Sequence, residues 1–399
     1  MAKEIEKDYK DKDIVFVVSD ESADNGLPIF GKTTLNYIYA VKTNKLDTFD
    51  KNIIRIYSKN QAVTGKYVST RLWLADYTAR NNDDVVLDFK ELAEKCCAGK
   101  NGIKRLGVLR ADVDNLGAAF ISGFVNQSSA DPLKYATFSR YADLSRDMTM
   151  FFKLAVDKIC QGSLKGFDVD ERKAFSIFGL EKLPQRQVHV VYSGGDDMFL
   201  VGAWDDLVEV AVDIRNAFSK FTGDKLSFSA GMAMFSPGYP ISKMAELTGM
   251  LESIAKDNSQ KDSIALFGFE TEQKDAVSIQ ECNHVYKWKD FTDEVCRSKL
   301  KFLLDNLTFD DKEDNKLKIG KNQIYRIMNL IAESDRDGMS LARYAYTLAR
   351  MQPNNKKLLP VYEGFSSQMY AWMKNKKDRR ELNTALNLLV YYLREDKEA

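Results

Sequence analysis

Gln187–Ser193 (QVHVVYS), Gly194-Gly195-Asp196-Asp197 and Met198–Gly202 (MFLVG) follow one another without a break, and their reading decides the fold. Two apolar runs flank four residues of turn chemistry, the pattern of two strands joined by a tight hairpin. The glycines permit positive φ and let a ligand approach backbone that carries no Cβ. The aspartates project negative charge from a sheet edge. Gly-Gly-Asp-Asp is also an ordinary hairpin turn. Carboxylates on such a turn can equally hold Mg²⁺ against a nucleotide triphosphate.

The stretch gains meaning from its neighbours. Upstream, Leu106–Gly117 (LGVLRADVDNLG) is an apolar run that ends in Asp112 and Asp114. Arg105–Arg110 reads as a strand, and Asp131–Cys160 as a long helix with Asp131-Pro132 at its start. Residues 161–186 form a polar connection. After the hairpin, Asp205–Phe221 has apolar residues at helical spacing and Gly223 stops it. Leu226–Phe235 alternates as a strand, Pro240 opens a helix that runs to Lys256, and Ile264–Phe267 is a last strand. The order β-α-β-β-α-β predicts a ferredoxin-like, α+β domain. In that topology the third strand lies between the first and second, antiparallel to both. Asp112, Asp196 and Asp197 then share one sheet edge.

The flanks differ in character. Residues 1–85 are β-rich, with strands expected at Ile14–Val18, Leu35–Val41 and Ile53–Tyr57, and a short helix follows at Asp88–Cys97. Residues 86–290 hold the ferredoxin-like pattern, and residues 291–399 read as a helical bundle. Its helices are expected at Asn322–Glu333, Met339–Arg350, Leu359–Lys374 and Arg379–Arg394. The acidic Asp310–Asp314 reads as a solvated linker. The basic Lys374–Arg380 (KNKKDRR) reads as a solvated inter-helix loop, with an RNA or partner contact as the other reading.

Composition narrows the function. The chain has 399 residues, 44% of them hydrophobic, enough for two or three domains. Lys+Arg and Asp+Glu are both 58, so no global basic field draws nucleic acid and any such contact is local. The five cysteines include no CxxC pair, which reads as free thiols in a reducing compartment, with Cys96-Cys97 as packing residues. Two histidines, His189 and His284, are too few for a histidine-rich metallohydrolase centre, and both read as structural. The charged N-terminus (MAKEIEKDYKDKD) does not look like a signal peptide, and no run is long enough to span a bilayer, so a soluble, cytoplasmic protein is expected.

Crowded carboxylates repel and raise one another's pKa unless a cation sits among them. Mg²⁺ relieves this by taking carboxylates together with phosphate oxygens and water. Asp112 and a GGDD aspartate are the expected bridging ligands, with the Val113 carbonyl as a further oxygen. Asn115 and Gly117 open a loop whose N–H groups can cradle phosphates. Lys256 and Lys261 can neutralise a triphosphate tail; Lys256 also has a plain reading as a helix C-terminal lysine.

SGGDD preceded by LRADVDNLG resembles the second palm domain of the large subunit of type III CRISPR effector complexes, more narrowly the type III-A (Csm) form. Phe228–Phe235 (FSAGMAMF), Ala255-Lys256, Lys261–Gly268 (KDSIALFG) and Leu341–Arg350 (LARYAYTLAR) extend the resemblance over roughly residues 85–395. Residues 1–85 match the family's β-rich linker domain loosely. The resemblance implies a cyclase- or polymerase-like palm that polymerises ATP into cyclic oligoadenylates and releases pyrophosphate. It implies that Asp196 and Asp197 hold Mg²⁺ or Mn²⁺ with help from Asp112, that Gly194 and Gly195 shape the turn, and that Ser193 contacts base or ribose. Implied partners are the other subunits of the complex, crRNA and target RNA, whose pairing triggers synthesis.

The sequence departs from the family in three ways. Family members usually begin with a histidine-aspartate nuclease domain and a first palm, and neither is recognisable here. The zinc-binding cysteines of some relatives are also missing. The expectation is a C-terminal portion or one half of a split subunit, with a separate chain carrying the nuclease domain and first palm as a partner in the latter case. The competing readings are a non-catalytic scaffold of the complex and a stand-alone nucleotide cyclase. An intact GGDD argues against the scaffold, and the helical tail and unrelated N-terminal region argue against the cyclase.

Overall fold

β-Branched and aromatic residues between Asn, Asp and Gly turns build the first sheet. The structure, a computed structural model, describes residues 14–22, 25–30, 35–99, 102–162, 174–180, 185–268, 270–274, 277–281, 283–308, 315–334 and 339–394. Two compact units divide at Ala75 and Asp76. In the first, β1 (Ile14–Ser19), β2 (Leu27–Phe30), β3 (Leu35–Lys42), β4 (Arg55–Lys59) and β5 (Thr70–Leu72) pair in the order β2-β3-β1-β4-β5. Val15, Val17, Tyr39, Val41, Leu46 and Ile56 form its core. The strand expected at Ile53 begins at Arg55. This unit ends before residue 85 because the chain after Ala75 pairs within the second unit: Ala79 N–H donates to Val188 (3.1 Å) and Val190 N–H to Tyr77 (2.9 Å).

The second unit is an α+β palm of ferredoxin-like order followed by helices. Helix α1 (Phe89–Glu94) starts in a capping box of Asp88 and Glu91 and ends before Cys96-Cys97, both buried. The palm then runs β6 (Leu106–Val113), α2 (Leu116–Ser122), α3 (Phe138–Met150), a π turn (Phe151–Ala155), α4 (Val156–Cys160), β7 (Val188–Gly194), β8 (Asp197–Ala203), α5 (Trp204–Thr222), β9 (Phe228–Phe235), α6 (Ile241–Asp257) and β10 (Ser263–Leu266). A hairpin of β11 (Glu270–Lys274) and β12 (Val277–Glu281) leads to β13 (Val285–Lys287). The six-stranded sheet has the order β13-β10-β9-β6-β8-β7, so β8 lies between β6 and β7, antiparallel to both.

Helix α6 fixes the height of one face of this sheet. A Cβ on Gly231 of β9 would lie 2.3 Å from Glu252 N and 2.4 Å from Thr248 O, so only glycine lets α6 lie this close. On the other face, Gly107 admits Trp204 in the same way. Helix α5 enters through four buried carboxylates. Arg186 binds Asp206 (3.6 Å), Glu209 (2.5 Å) and Asp213 (2.8 Å), while Asp205 accepts the Cys97 N–H (3.0 Å).

Three expectations are corrected. The helix expected over Asp131–Cys160 begins at Phe138. Asp131 accepts the Leu133 N–H (3.2 Å) and so starts a turn, because a side chain bonding two residues ahead competes with helix propagation. Helix α2 occupies part of what read as loop. Lys374–Arg380 is not an inter-helix loop: only Asn375 breaks the helices, and it caps the next one by accepting from Lys377 (2.8 Å) and Asp378 (3.3 Å). Arg380 binds the carbonyls of Asn283 and Val285, each at 2.8 Å.

The tail starts with α7 (Trp288–Asp290), a π stretch (Phe291–Leu300) and α8 (Lys301–Asn306), and two short strands, β14 (Leu307–Thr308) and β15 (Leu317–Lys318), pair beyond it. Helices α9 (Lys321–Glu333), α10 (Ser340–Ala349), α11 (Leu359–Lys374) and α12 (Lys376–Leu393) complete it. Buried Lys299 bonds Glu381 (2.6 Å) and Asp378 (3.0 Å), tying the π stretch to α12. Asp310–Asp314 lies outside the described residues. Among them, no helix is long and apolar enough to cross a membrane.

Both histidines are structural. His189 Nδ1 accepts from Ala79 N–H (3.1 Å), which leaves Nε2–H to donate to Leu87 O (2.7 Å). His284 pairs with the Thr384 hydroxyl (2.7 Å), and burial, with the Arg380 charge adding, lowers its pKa to about 4. Its folded value lies below the unfolded one near 6.5, so the neutral ring stabilises the fold above pH 6.5 and loses that contribution as pH falls toward 4. Comparing the chain with its His284→Asn variant in urea at several pH values isolates this. The original should lose up to about 3 kcal/mol relative to the variant between pH 7 and 4, and a pH-independent difference contradicts the assignment.

Candidate active site

Strand register alone gathers the acidic residues. β7 ends at Gly194 and β8 begins at Asp197, directly opposite, so Gly195-Asp196 is a two-residue loop. Gly195 takes φ +69°, the left-handed position that such turns give to glycine. The Asp196 carbonyl accepts the Val113 N–H at 3.0 Å, fastening the turn to the end of β6. Asp112 is in turn the register partner of Asp197. Directly opposed antiparallel residues have Cα atoms about 4.5–5.5 Å apart and side chains on one face. The two acidic motifs thus meet at one edge.

Charge is unevenly balanced there. Lys256, one turn after Glu252 on α6, forms ion pairs with Asp112 and with Glu252 (3.0 Å). Glu252 also binds Arg110 (2.9 Å), giving the chain Arg110–Glu252–Lys256–Asp112. Burial alone would lower the Lys256 pKa, but its bonds to Asp112 and Glu252 outweigh this and raise it. Among the described residues Asp196 has no ion-pair partner, and the Lys256 charge helps it only weakly. Burial first, then repulsion from Asp112 and Asp197, pushes its carboxyl above the usual range. Among the described residues, no three acidic, histidine or cysteine side chains draw together closely enough to hold a metal ion. Asp112, Asp196 and Asp197 sense one another, yet one Asp112 oxygen is turned to Lys256. An edge with unrelieved carboxylate repulsion has the donor chemistry that a divalent cation takes.

Asp114 has a different task. It is almost fully buried and accepts from the Ser227 hydroxyl (2.7 Å) and the Asp262 N–H (2.9 Å) through one oxygen. It anchors the loop from α6 to β10, where Gln260, Lys261 and Asp262 all take positive φ (66°, 56° and 47°). Asp262 is further clamped by Arg215 (2.6 and 3.2 Å). Lys261 is therefore carried on a loop tied to the end of β6. Asn115, left-handed at φ 55°, and Gly117 are exposed on the first turn of α2, beside Asp112 in sequence. Ser193 is corrected: its hydroxyl is buried and donates to the Phe152 carbonyl (2.7 Å), so it is not offered to a base or ribose.

Arg110 and Glu252 were not singled out from the sequence, although the signals exist. Arg110 precedes Asp112 by two, which is one face of a strand, and Glu252 precedes Lys256 by four, which is one face of a helix. Tyr192, whose hydroxyl donates to Gly194 O (3.2 Å), was also missed. Opposite substitutions should move stability in opposite directions. At neutral pH without metal, Asp196→Asn relieves repulsion and raises the thermal midpoint by about 1–2 °C, whereas Lys256→Met leaves Asp112 and Glu252 facing each other and lowers it. Calorimetry checks this, and a fall in both contradicts the charge balance described.

The palm matches a described family, "Cas10/Cmr2, second palm domain", over residues 105–265, and the tail matches "CRISPR RNA silencing complex Cmr2 subunit, second helical domain" over residues 306–395. The protein named CRISPR system single-strand-specific deoxyribonuclease Cas10/Csm1 (subtype III-A) from Enterococcus italicus is 36% identical over 344 residues, 86% of this chain and 37% of that one. Its namesake from Mycobacterium tuberculosis is 32% identical over 382 residues, 96% of this chain and 42% of that one. The chain thus spans about two fifths of the length of these relatives. The crystal structure of a Csm1-Csm4 cassette in complex with cA4 shares the fold, with a TM-score of 0.67 and 23% identity over 96% of this chain and 48% of that one. Csm1 from T. onnurineus gives 0.65 and 21%, covering 96% and 50%. Motif, topology and relatives agree: the chain belongs to the Cas10/Csm1 family of subtype III-A and carries its second palm.

Proposed function

We propose that this palm joins ATP into cyclic oligoadenylates within a type III RNA-guided complex. The observation that carries the reading is the register pairing of Asp112 with Asp197, with Asp196 on the adjoining turn. Support comes also from structures of similar fold described as Csm1-Csm4 cassettes with one ATP, AMPPNP, pppApApA, cA3 and cA4. Those ligands were seen in those proteins: for this reaction ATP is the substrate, AMPPNP an analogue of it, pppApApA a linear intermediate, and cA3 and cA4 cyclic products.

In the proposed reaction the 3′-hydroxyl of one ATP attacks the α-phosphate of another and pyrophosphate leaves. Bound Mg²⁺ or Mn²⁺ supplies Lewis-acid stabilisation of the developing phosphate charge. The chain's own residues position the nucleotide. Asp112, Asp196 and Asp197 hold the cation at the edge. Gly194 and Gly195 leave the turn bare for close approach. The N–H groups of the exposed Asn115 and Gly117 would meet the phosphates, and Lys256 and Lys261 offset the charge of the tail. Lys256 resting on Asp112 also keeps the acidic edge from repelling the approaching triphosphate.

The assembly is part of the proposal. Other subunits of the complex, crRNA and target RNA would control access to the site, and a first palm would complete it, in the cytoplasm. The deoxyribonuclease activity in the relatives' name is not assigned to this palm. Assembled complex given target RNA, Mg²⁺ and ATP should form short cyclic adenylates detectable by mass spectrometry. Asp196→Ala combined with Asp197→Ala should abolish them without lowering the thermal midpoint, and undiminished product from that double variant overturns the site.

A further inference from the structure

We propose that Lys153 is a third phosphate-binding cation of this site, beside Lys256 and Lys261, reaching it from the side opposite Lys256. The proposal rests on the nucleotide reading of the acidic edge. Lys153 lies in the π turn Phe151–Ala155, where the helix running past β7 takes an extra residue into one turn. Such turns are rare and recur at functional sites because they redirect side chains. The preceding residue, Phe152, receives the Ser193 hydroxyl (2.7 Å), so this turn is fastened to the strand one residue before the GGDD loop.

The Lys153 stem crosses Gly194. Its Cε lies 3.3 Å and its Cγ 3.9 Å from where a Cβ on Gly194 would be. Gly194 opposes Asp197, and Asp197 opposes Asp112. Opposed residues share a face, so the space that Gly194 leaves open belongs to the face that carries both aspartates. Half-buried Lys153 fills it with its aliphatic stem, beside the edge strand β7. Lys256 reaches the same face from α6, which packs on β6 and β9.

The two lysines differ in what they already bind. Lys256 is paired with Asp112 and Glu252. Among the described residues, Lys153 has no hydrogen-bond or ion-pair partner. A half-buried stem beside an acidic edge, ending in an ammonium with no partner among the described residues, is arranged to meet an anion that arrives. The fitting chemistry is the terminal phosphates of a nucleoside triphosphate, or the pyrophosphate that leaves. Gly194 then has a second reason to lack a side chain: it seats the Lys153 stem.

The test is equilibrium binding of ATP and of adenosine, with Mg²⁺, to the full chain assembled with its partner subunits. Lys153→Met keeps the stem against Gly194 and removes the charge. It should weaken ATP binding about tenfold, the worth of one charge-assisted hydrogen bond, and leave adenosine binding unchanged. Lys153→Arg should stay within about threefold of the original for ATP. Lys153→Gln serves if the methionine variant does not fold. ATP binding by the Met or Gln variant equal to the original overturns the role of Lys153 while leaving the nucleotide site standing. Equal loss of ATP and adenosine binding shows a purely structural lysine and overturns it also. If the original chain binds ATP no better than adenosine, the phosphate site itself fails, and this proposal with it.

Discussion

One antiparallel pairing governs this site: β6 against β8, with Asp112 opposite Asp197. A slip of one residue would turn Asp112 to the other face of the sheet, because side chains alternate with period two. The register is therefore held from both ends. At the base, Leu106, Val108 and Val201 are buried in one core cluster with Met244 of α6. At the top, the Val113 N–H bonds the Asp196 carbonyl. A slipped pairing would expose the first and break the second. The apolar sequence of the strands thus sets the positions of the carboxylates.

Helix α6 supplies the positive counterpart by the same economy of geometry. Gly231 lets the helix close on β9, and Glu252 and Lys256, one turn apart, then face Arg110 and Asp112, two residues apart on β6. Helical and strand periods match over this short interval, so four charged groups alternate in sign along a line. The line ends at Asp112, and Asp197 and Asp196 lie beyond it, where burial, with repulsion from Asp112 and Asp197 added, raises the Asp196 carboxyl. The charge imbalance is local to the turn. It exists in a chain whose formal net charge is zero.

Much of this could be read from residue order. Hairpin chemistry at Gly194–Asp197, periodicity in α5 and α6 and the βαββαβ string placed the second strand's partner and the meeting of Asp112 with GGDD. What was not legible depended on contacts between segments far apart in sequence. Ser193 looks available beside a glycine turn, yet Phe152, reached only through the tertiary fold, takes its hydroxyl. Lys153 is one lysine in a helical run until the π turn aims it at Gly194. Asp131-Pro132 has the composition of a helix start, but the Asp131 side chain closes a local turn instead. KNKKDRR reads as a charged loop because helix propensity does not record that Asn375 caps the next helix and that Arg380 finds two carbonyls.

In the proposed reaction this edge is a single shared cation site, and Mn²⁺ tests it directly. The electron paramagnetic resonance signal of free Mn²⁺ falls as the ion binds, so affinity can be measured with no nucleotide turnover. If the two acidic motifs act as one site, Asp112→Asn weakens Mn²⁺ binding about tenfold or more, as Asp197→Asn does, despite their distance in sequence. Mn²⁺ binding by Asp112→Asn as tight as the unaltered chain's, with Asp197→Asn impaired, contradicts a shared site.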